Sequence, residues 1–550
     1  MWRTPFPISE AVAVMEDAAA TTSIGGVFNP GVRSWYRPLY FLTWTTLLKK
    51  SPSLDAALWL FRCLEVGAVV ALWLLLIREI RPRSWLDTAI AAFAVVVLVG
   101  LPGFRDNLEI PLLMTLIAMP LVLIVWRLLE AEPRWWHGPL IIALTLIAIG
   151  YKEQGLVLVP VVVVAWWMGA PGVGRVTAAS IVIVTLGYLV FRFTAAGSWP
   201  PFVQDIGLGF TMLQAGQATA RFGAFPLPIY AYNVGATIAN MLFSEPTSGT
   251  FIAFAHVMNG QFVPPEIVSV LSSAALSALI AWWAISSVRR DDRRPWSRES
   301  RLAGVLLIAI AASGALGFNY TRDRLAGMAA VFYALAAFPA VRELIRRAPQ
   351  GSRTRVVAIA AAVVVFAGLW VIRAIGTVDF ARLTASKNRR EWITNLQARR
   401  TQFARDPLYL NMLNAMVAQG AQPTPPRIGS LADAIREGSP EPVYAEIHAG
   451  ANPNTPIAFS HPDLTGDQEV TVAPIVLAVA RHSDNAVMTL MSFGARMDLP
   501  QNSQAVCLAR RMGYEDIAAM IVRDGQIVGN ISCPAAVHTK YPLLDFVEPR

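Results

Sequence analysis

Long apolar runs broken by short basic or turn-forming stretches fill the chain as far as residue 376, and a more polar pattern with a helical repeat follows. A helix needs about 20 apolar residues to cross about 30 Å of hydrocarbon. Ten stretches read as candidate spans, near residues 54–80, 85–101, 108–129, 136–151, 155–168, 176–193, 264–288, 302–318, 325–344 and 356–375. The fourth and fifth are short, and read either as two spans or as one span interrupted by Lys152 and Glu153. Residues 194–263 form a long segment rich in Pro, Gly and aromatic residues, whose apolar stretch 230–243 is expected to be a helix lying in the membrane interface.

After the last apolar run, residues 379–419 read as a polar helical hairpin packed through Trp392, Leu396 and Phe403, and 422–426 as a proline-rich linker. Three helix pairs follow. The first, 431–438 with 443–450, ends in Ala449-Gly450-Ala451-Asn452-Pro453-Asn454. The second opens on Ala473-Pro474-Ile475-Val476-Leu477-Ala478 and ends in Phe493-Gly494-Ala495-Arg496-Met497-Asp498; the third runs from Ala505-Val506-Cys507-Leu508-Ala509 to Arg523-Asp524-Gly525. Gly450 and Gly494 are 44 residues apart and Gly494 and Gly525 are 31 apart, so an insertion is expected around 459–467. These units resemble ankyrin repeats, which have a period of about 33 residues and a Thr-Pro-Leu-His-x-Ala opening. Val476 stands at the motif's His position and the first unit has no Thr-Pro opening, so a generic stack of helical hairpins is the alternative. The resemblance implies a stack that binds a protein partner, with no catalytic residue of its own.

Composition narrows the class. Of 550 residues 55% are hydrophobic and 15% charged, and the mean hydropathy is +0.47; soluble domains carry about 25% charged residues. The net charge of +9 is not a nucleic-acid signature, because from Thr377 onward 16 basic residues face 17 acidic ones, leaving the surplus in the apolar part, where 30 face 20. Orientation follows from the positive-inside rule. With ten spans and the first loop outside, the inner turns carry Arg78, Arg81, Arg83, Arg127, Arg134, Arg175, six arginines between 289 and 301 and five between 342 and 355. The outer turns carry Arg105, Lys152, Arg322 and Arg324. Merging the fourth and fifth spans would put the six-arginine run outside, so two spans with a turn at 151–154 are expected, and the region after 377 is expected to be extracytoplasmic. An exported leading segment normally follows a signal or a span; residues 1–51 hold neither, so a further helix upstream is expected. Cys63, Cys507, Cys533 and the six histidines show no zinc-ligand spacing. Cys507 and Cys533 can pair if their region is exported, although Cys507 reads equally well as repeat core.

Ionisable residues at membrane depth are costly and mark candidate sites. Four polar clusters share the outer face of this topology: Ser34-Trp35-Tyr36-Arg37-Pro38-Leu39, Phe104-Arg105-Asp106-Asn107-Leu108-Glu109, Tyr151-Lys152-Glu153-Gln154-Gly155 and Asn319-Tyr320-Thr321-Arg322-Asp323-Arg324. Singly, each is a polar turn. Together they suit a cavity in which Arg and Lys donate to a lipid-linked phosphate and a carboxylate acts as base on an acceptor hydroxyl. The glycine-rich turn 169–174 lacks the strand, helix and Lys of a phosphate-binding loop. Arg62 and Glu65, one turn apart, read as a structural ion pair.

The order Tyr36-Arg37-Pro38-Leu39, an acidic turn at Asp106, Lys152-Glu153-Gln154-Gly155, and Asn388 to Trp392 after the last span resembles the membrane region of the transmembrane and tetratricopeptide-repeat O-mannosyltransferases, and the wider protein O-mannosyltransferase and GT-C glycosyltransferase group. It covers roughly 35–397, with long unmatched stretches between motifs. The resemblance implies inverting transfer of a sugar from a polyprenyl-phosphate carrier, as substrate, to an extracytoplasmic acceptor, with no cofactor or divalent metal indicated. It gives Asp106 the acidic position of the second outer loop, Lys152 and Glu153 the Lys-Glu motif, Arg37 the arginine of the Arg-Pro motif, and Arg322 or Arg324 the late arginine near the carrier phosphate. The candidate catalytic residues are thus Asp106 and Glu153, with Asp17 a weaker third, and the candidate phosphate ligands are Arg37, Lys152, Arg322 and Arg324. The pattern departs from the family in the first outer loop, where Glu10, Glu16 and Asp17 are the only carboxylates before Tyr36 and form no acidic pair.

The expectation is an all-α protein of the bacterial inner membrane: an extracytoplasmic segment with an amphipathic helix (1–53), a GT-C-like polytopic domain of about ten spans (54–376, outer loop 194–263), a hairpin and linker (377–426), extracytoplasmic ankyrin-like repeats (427–527) and a tail (528–550). Its expected partners are membrane lipid, a polyprenyl-phosphate sugar and a protein bound by the repeats, with no nucleic acid. The alternative to a glycosyltransferase-like protein is a non-catalytic membrane scaffold that displays the repeats.

Overall fold

The computed structural model describes residues 28, 37–52, 54–104, 115–195, 206–208, 211–213, 223, 226–243, 256–291, 296–319, 323–347, 357, 361–379, 382, 427–438, 440–524, 531, 533–535, 537 and 540–546. The architecture is overwhelmingly helical, and the chain divides into two units, Met1–Ala385 and Ser386–Arg550.

In the first unit the helices are α1 (Pro38–Lys50), α2 (Leu54–Ile80), α3 (Trp85–Gly100), α4 (Thr115–Leu129), α5 (His137–Tyr151), α6 (Leu158–Trp167), α7 (Arg175–Ala195), α8 (Leu227–Phe243), α9 (Pro264–Arg290), α10 (Arg298–Leu316), α11 (Gly327–Arg346) and α12 (Ala361–Asp379). Among the described residues six helices are long and apolar enough to cross a membrane, in α2, α7, α9, α10, α11 and α12, and this is the mark of an integral membrane protein. Shorter apolar helices at Trp85–Gly100, Thr115–Leu129, His137–Tyr151 and Glu153–Trp167 fall where the hydrophobic pattern puts the other four runs. Large apolar side chains point outward along these helices, among them Leu74, Ile183, Leu186, Leu271, Leu307 and Ile372. That surface suits hydrocarbon rather than water.

The centre of the unit is α11, buried almost all round from Gly327 to Phe338. Alanines at 329, 330, 334, 336, 337 and 340 let α3, α4, α9 and α10 approach its backbone closely. The turns that the charge count assigns to the inner face meet at one end of the bundle. There Arg298 pairs with Glu79, Arg301 with Glu130 at 2.6 Å, Arg342 with Asp87 at 2.9 Å and Arg290 with Glu343 at 3.4 Å. The turn after α6 joins them, since Gly172 N–H donates to the Leu129 carbonyl at 2.9 Å and Trp296 N–H to that of Met168 at 3.3 Å. A Cβ on Gly172 would lie 1.8 Å from the Leu128 carbonyl oxygen, so this glycine serves backbone packing. The Arg62–Glu65 pair forms inside α2 at 3.2 Å, with both side chains buried.

Between α7 and α9 lie a two-stranded antiparallel hairpin, β1 (Ile206–Leu208) with β2 (Thr211–Leu213), and then α8. The helix expected at 230–243 is therefore present, and it packs on α9 and α10. Its buried stripe, Ile229, Tyr230, Asn233, Ala236, Thr237, Asn240 and Met241, carries three polar residues.

The second unit contains three helix pairs: α13 (Leu431–Glu437) with α14 (Pro440–His448), α16 (Pro474–Ala480) with α17 (Asp484–Ser492), and α18 (Pro500–Arg511) with α19 (Glu515–Asp524). The pairs share a construction. Each is joined through a residue in the left-handed region, Gly438 (φ 74°), His482 (φ 52°) and Gly513 (φ 74°). The first two end on Gly450 (φ 104°) and Gly494 (φ 106°), with matching bonds from Ala451 N–H to Glu446 O at 2.9 Å and from Ala495 N–H to Leu490 O at 2.8 Å. The expected insertion is an antiparallel hairpin, β3 (Ile457–Phe459) with β4 (Val470–Val472), enclosing the single turn α15 (Pro462–Thr465). Ile475, Leu477, Val487, Leu490, Val506, Leu508, Ile517 and Ile521 fill the core between the pairs. Leu543 and Phe546 close onto α18, where Arg511 meets Asp545 at 2.6 Å and Cys507 is disulfide-bonded to Cys533. The linker expected at 422–426, and nearly all of the hairpin expected at 379–419, lie outside the described residues.

Candidate functional site

Two sequence clusters 116 residues apart come together in the first unit. Pro38 fixes the first turn of α1 and leaves Arg37 as its capping residue, whose carbonyl accepts the first helical bond from Phe41 N–H at 3.1 Å. Helix α1 then packs on α5. A Cβ on Gly150 would come within 2.9 Å of Leu39, and the Thr43 and Tyr151 hydroxyls are 3.3 Å apart. The glycine lets the two helices touch where Arg37 must reach the end of α5.

Lys152 leaves α5 in an extended conformation (φ −156°, ψ 139°), and a 3₁₀ turn, Glu153–Val157, runs directly into α6. This reversal requires the glycine of the Lys-Glu-Gln-Gly sequence. Gly155 N–H donates to the Lys152 carbonyl at 2.9 Å, and a Cβ on Gly155 would lie 2.4 Å from backbone atoms of Ala148 and Ile149. The turn faces Glu153 towards α1. Arg37 donates Nε–H to Glu153 Oε2 at 2.9 Å and an Nη2 hydrogen to Oε1 at 2.8 Å, a two-point pair. Lys152 Nζ stands 3.5 Å from the same Oε1. Arg37 is 7% exposed and Lys152 fully buried, whereas the Glu153 side chain is 21% exposed. Arg192 of α7 adds its field to that carboxylate. Two cations thus contact one acid, with the field of a third added, an excess of positive charge that can draw in an anion. Beside them Gln154 is fully buried, and neither polar atom of its side-chain amide has a hydrogen-bond partner among the described residues.

The other candidate residues are placed less fully. Asp17, Asp106 and Arg322 lie outside the described residues. Arg324 falls in the 3₁₀ turn Asp323–Ala326, which, like the Glu153 turn, packs against α10 and α11. The structure therefore brings together Arg37, Lys152 and Glu153 of the expected set.

Two features escape sequence reasoning. Arg192 reads as part of an apolar run, and only its position near the end of that run that the charge bias assigns to the outside could have singled it out. Arg373 of α12 donates to the carbonyls of Gly100 at 3.0 Å and Ser269 at 3.1 Å and to the hydroxyl of Ser273, while its guanidinium lies 4.4 Å from the Trp370 ring. It ties the C-terminus of α3 to α9, and a cation is favourable at that helix end. No sequence spacing connects these partners. Comparison with known proteins finds no matching family model and no matching curated protein.

Proposed function

We propose that the first unit acts as a glycosyltransferase-like membrane domain of ten spans, six long and four short, which transfers a sugar from a polyprenyl-phosphate carrier to an extracytoplasmic acceptor. The observation that supports this most is the junction of Arg37 with Lys152 and Glu153, because the Arg-Pro and Lys-Glu-Gln-Gly sequences behind the family resemblance meet in one polar cluster. In this reading Glu153 is a positioning residue that holds Arg37 and Lys152 side by side, and the two cations, with Arg322 or Arg324, donate to the carrier phosphate. Asp106 is then the base that takes the proton of the acceptor hydroxyl. The second unit is an ankyrin-like stack that binds a protein partner. The Cys507–Cys533 bond supports its exposure to an oxidising, extracytoplasmic compartment of a bacterial inner-membrane protein.

The test is sugar transfer by membranes containing the full chain, supplied with polyprenyl-phosphate mannose or glucose, against Lys152→Ala and Asp106→Asn at matched expression. The expected result is at least a hundredfold loss in both variants, as for removal of a charge-stabilising or proton-transferring group. Absence of transfer from any donor by the inserted, folded protein would overturn the enzymatic reading. The closed pairing of Glu153 with two cations also favours a second reading, in which the cluster only locks helices and the protein is a scaffold for the repeats.

A further inference from the structure

The arginine-rich end of the membrane unit encloses a cavity of about 480 Å³ that the transfer reaction does not use. Its wall comes from the end of α2, the end of α4, the start of α10 and the last turns of α11, and it carries Arg81, Arg83, Arg127, Arg298, Arg342 and Arg346. Four glutamates share the wall, but each is held by an arginine. Glu79 is paired with Arg298, Glu130 with Arg301 at 2.6 Å, Glu343 with Arg347 at 2.8 Å, and Glu299 with Arg290 at 3.7 Å. Arg301, Arg347 and Arg290 stand outside the wall, so most of the acidic charge is neutralised from behind. Asp87 takes up Arg342 in the same way, at 2.9 Å.

Four wall cations are left over. Among the described residues the side chains of Arg81, Arg83, Arg127 and Arg346 make no hydrogen bond or ion pair. Arg81, Arg83 and Arg346 are exposed and Arg127 is half-buried, so solvent screens their mutual repulsion in part and an anion between them lowers it further. Arg81 is also a non-glycine residue in the left-handed region (φ 52°), a conformation retained at a cost and concentrated at ligand sites. Apolar side chains share the wall: Ile80, Leu302, Leu335, Phe338 and Pro339 also line it. Cations and hydrocarbon side by side in one wall match an amphiphilic anion. The volume lies within the range of about 300–1,000 Å³ usual for small-ligand pockets.

We infer that this cavity binds a phosphate group, Arg81, Arg83, Arg127 and Arg346 being its ligands. Guanidinium is the side chain best matched to phosphate oxygens. The phosphate can belong to a membrane lipid or to a soluble molecule, and the experiment separates the two. The purified full chain in neutral detergent is titrated by native mass spectrometry with phosphatidylglycerol, with diacylglycerol of the same acyl chains, and with glycerol phosphate. The expected result is that a phosphate-bearing probe binds at least tenfold more tightly than diacylglycerol. Phosphatidylglycerol alone would identify a lipid source, and glycerol phosphate binding equally well a soluble one. The Arg127→Gln/Arg346→Gln double variant is expected to bind at least tenfold more weakly, and Arg175→Gln, on the same face but outside the wall, to bind as the parent does. Binding no tighter than diacylglycerol by either phosphate probe, or full binding by the folded double variant, would overturn the assignment. Should the double variant fail to fold, Arg127→Gln and Arg346→Gln are measured singly; unchanged affinity in both would equally refute phosphate ligation by these two residues.

Discussion

Replacing Arg37 with Met tests whether the cluster at the end of α5 exists as described. The change removes a guanidinium that donates two charge-assisted hydrogen bonds to Glu153, at 2.9 and 2.8 Å, and keeps a side chain of similar reach. Bonds to charged groups contribute about 1.5–3 kcal/mol each, and breaking a buried pair by removing one partner costs about 3–5 kcal/mol. Two observations place this site at the lower end. Lys152 Nζ remains 3.5 Å from the carboxylate, and Glu153 retains 21% exposure through which water can reach it. Arg37→Met is therefore expected to destabilise by about 2–4 kcal/mol. Glu153→Leu is expected to cost more, because it removes the carboxylate that faces both Arg37 and the fully buried Lys152. The double variant should be less destabilised than the sum of the two, by a coupling energy of about 2 kcal/mol. Equilibrium unfolding of the purified chain in mixed micelles, followed by circular dichroism as the dodecyl sulfate fraction rises, measures all three. The pairing would be refuted if Arg37→Met unfolded within about 0.5 kcal/mol of the parent, or if the two changes were additive to within that margin.

Gly155→Ala would push a methyl group to 2.4 Å from the Ala148 and Ile149 backbone and is expected to cost about 2–4 kcal/mol or to prevent folding, whereas Gly67→Ala, with nothing within 4 Å, should leave the same unfolding midpoint or raise it. Glu446, buried, has its carboxyl held below the ordinary value of 4.5, chiefly by the Arg427 hydrogen bond, with Gly429 and Ile428 N–H groups adding. Its folded pKa thus lies under its unfolded one, so its contribution is complete above about pH 5 and is lost as pH falls through the folded value; hydrogen exchange across 427–450, corrected for intrinsic rates, should show protection falling in that window in the parent and a flatter response in Glu446→Gln. Alkylation of whole cells with a membrane-permeant maleimide should leave Cys507 and Cys533 unmodified without reductant and modify both after reduction; reaction of either at the outset would remove the support for an oxidising location.

Much of the helical layout was legible because lipid demands it. Apolar runs of span length, set against arginine-bearing turns, locate the helices, and the same charges argue for the break at Lys152 that appears as the end of α5. Glycine spacing in the repeats likewise located the insertion, since 44 residues cannot fill a 31-residue interval; its hairpin form was hidden because strands of three residues carry almost no alternation. Long-range pairing was not legible. Nothing near Arg37 specifies Glu153, and nothing near Arg373 specifies Gly100 or Ser273, because such partners are chosen by how helices pack. Helix α8 misleads in another way. Its mean character is apolar and suggests a lipid-facing surface, yet Asn233 is buried and donates to the Phe318 carbonyl at 3.1 Å, which the stripe of Asn233, Thr237 and Asn240 could have signalled.

The disulfide in the second unit also sets how that unit bears mechanical load. Tension applied downstream of Phe546 first strips Leu543 and Phe546 from α18 and breaks the Arg511–Asp545 pair. It then reaches Cys533 and passes through the covalent bridge to Cys507, in the middle of α18. Residues 508–532, including all of α19, lie outside the load path, so the last helix pair is pulled from its interior turn by turn towards α17 and is not peeled from its free end. Reduction would restore peeling and shift the first rupture to α19, so the redox state of a single bond decides which helix yields first.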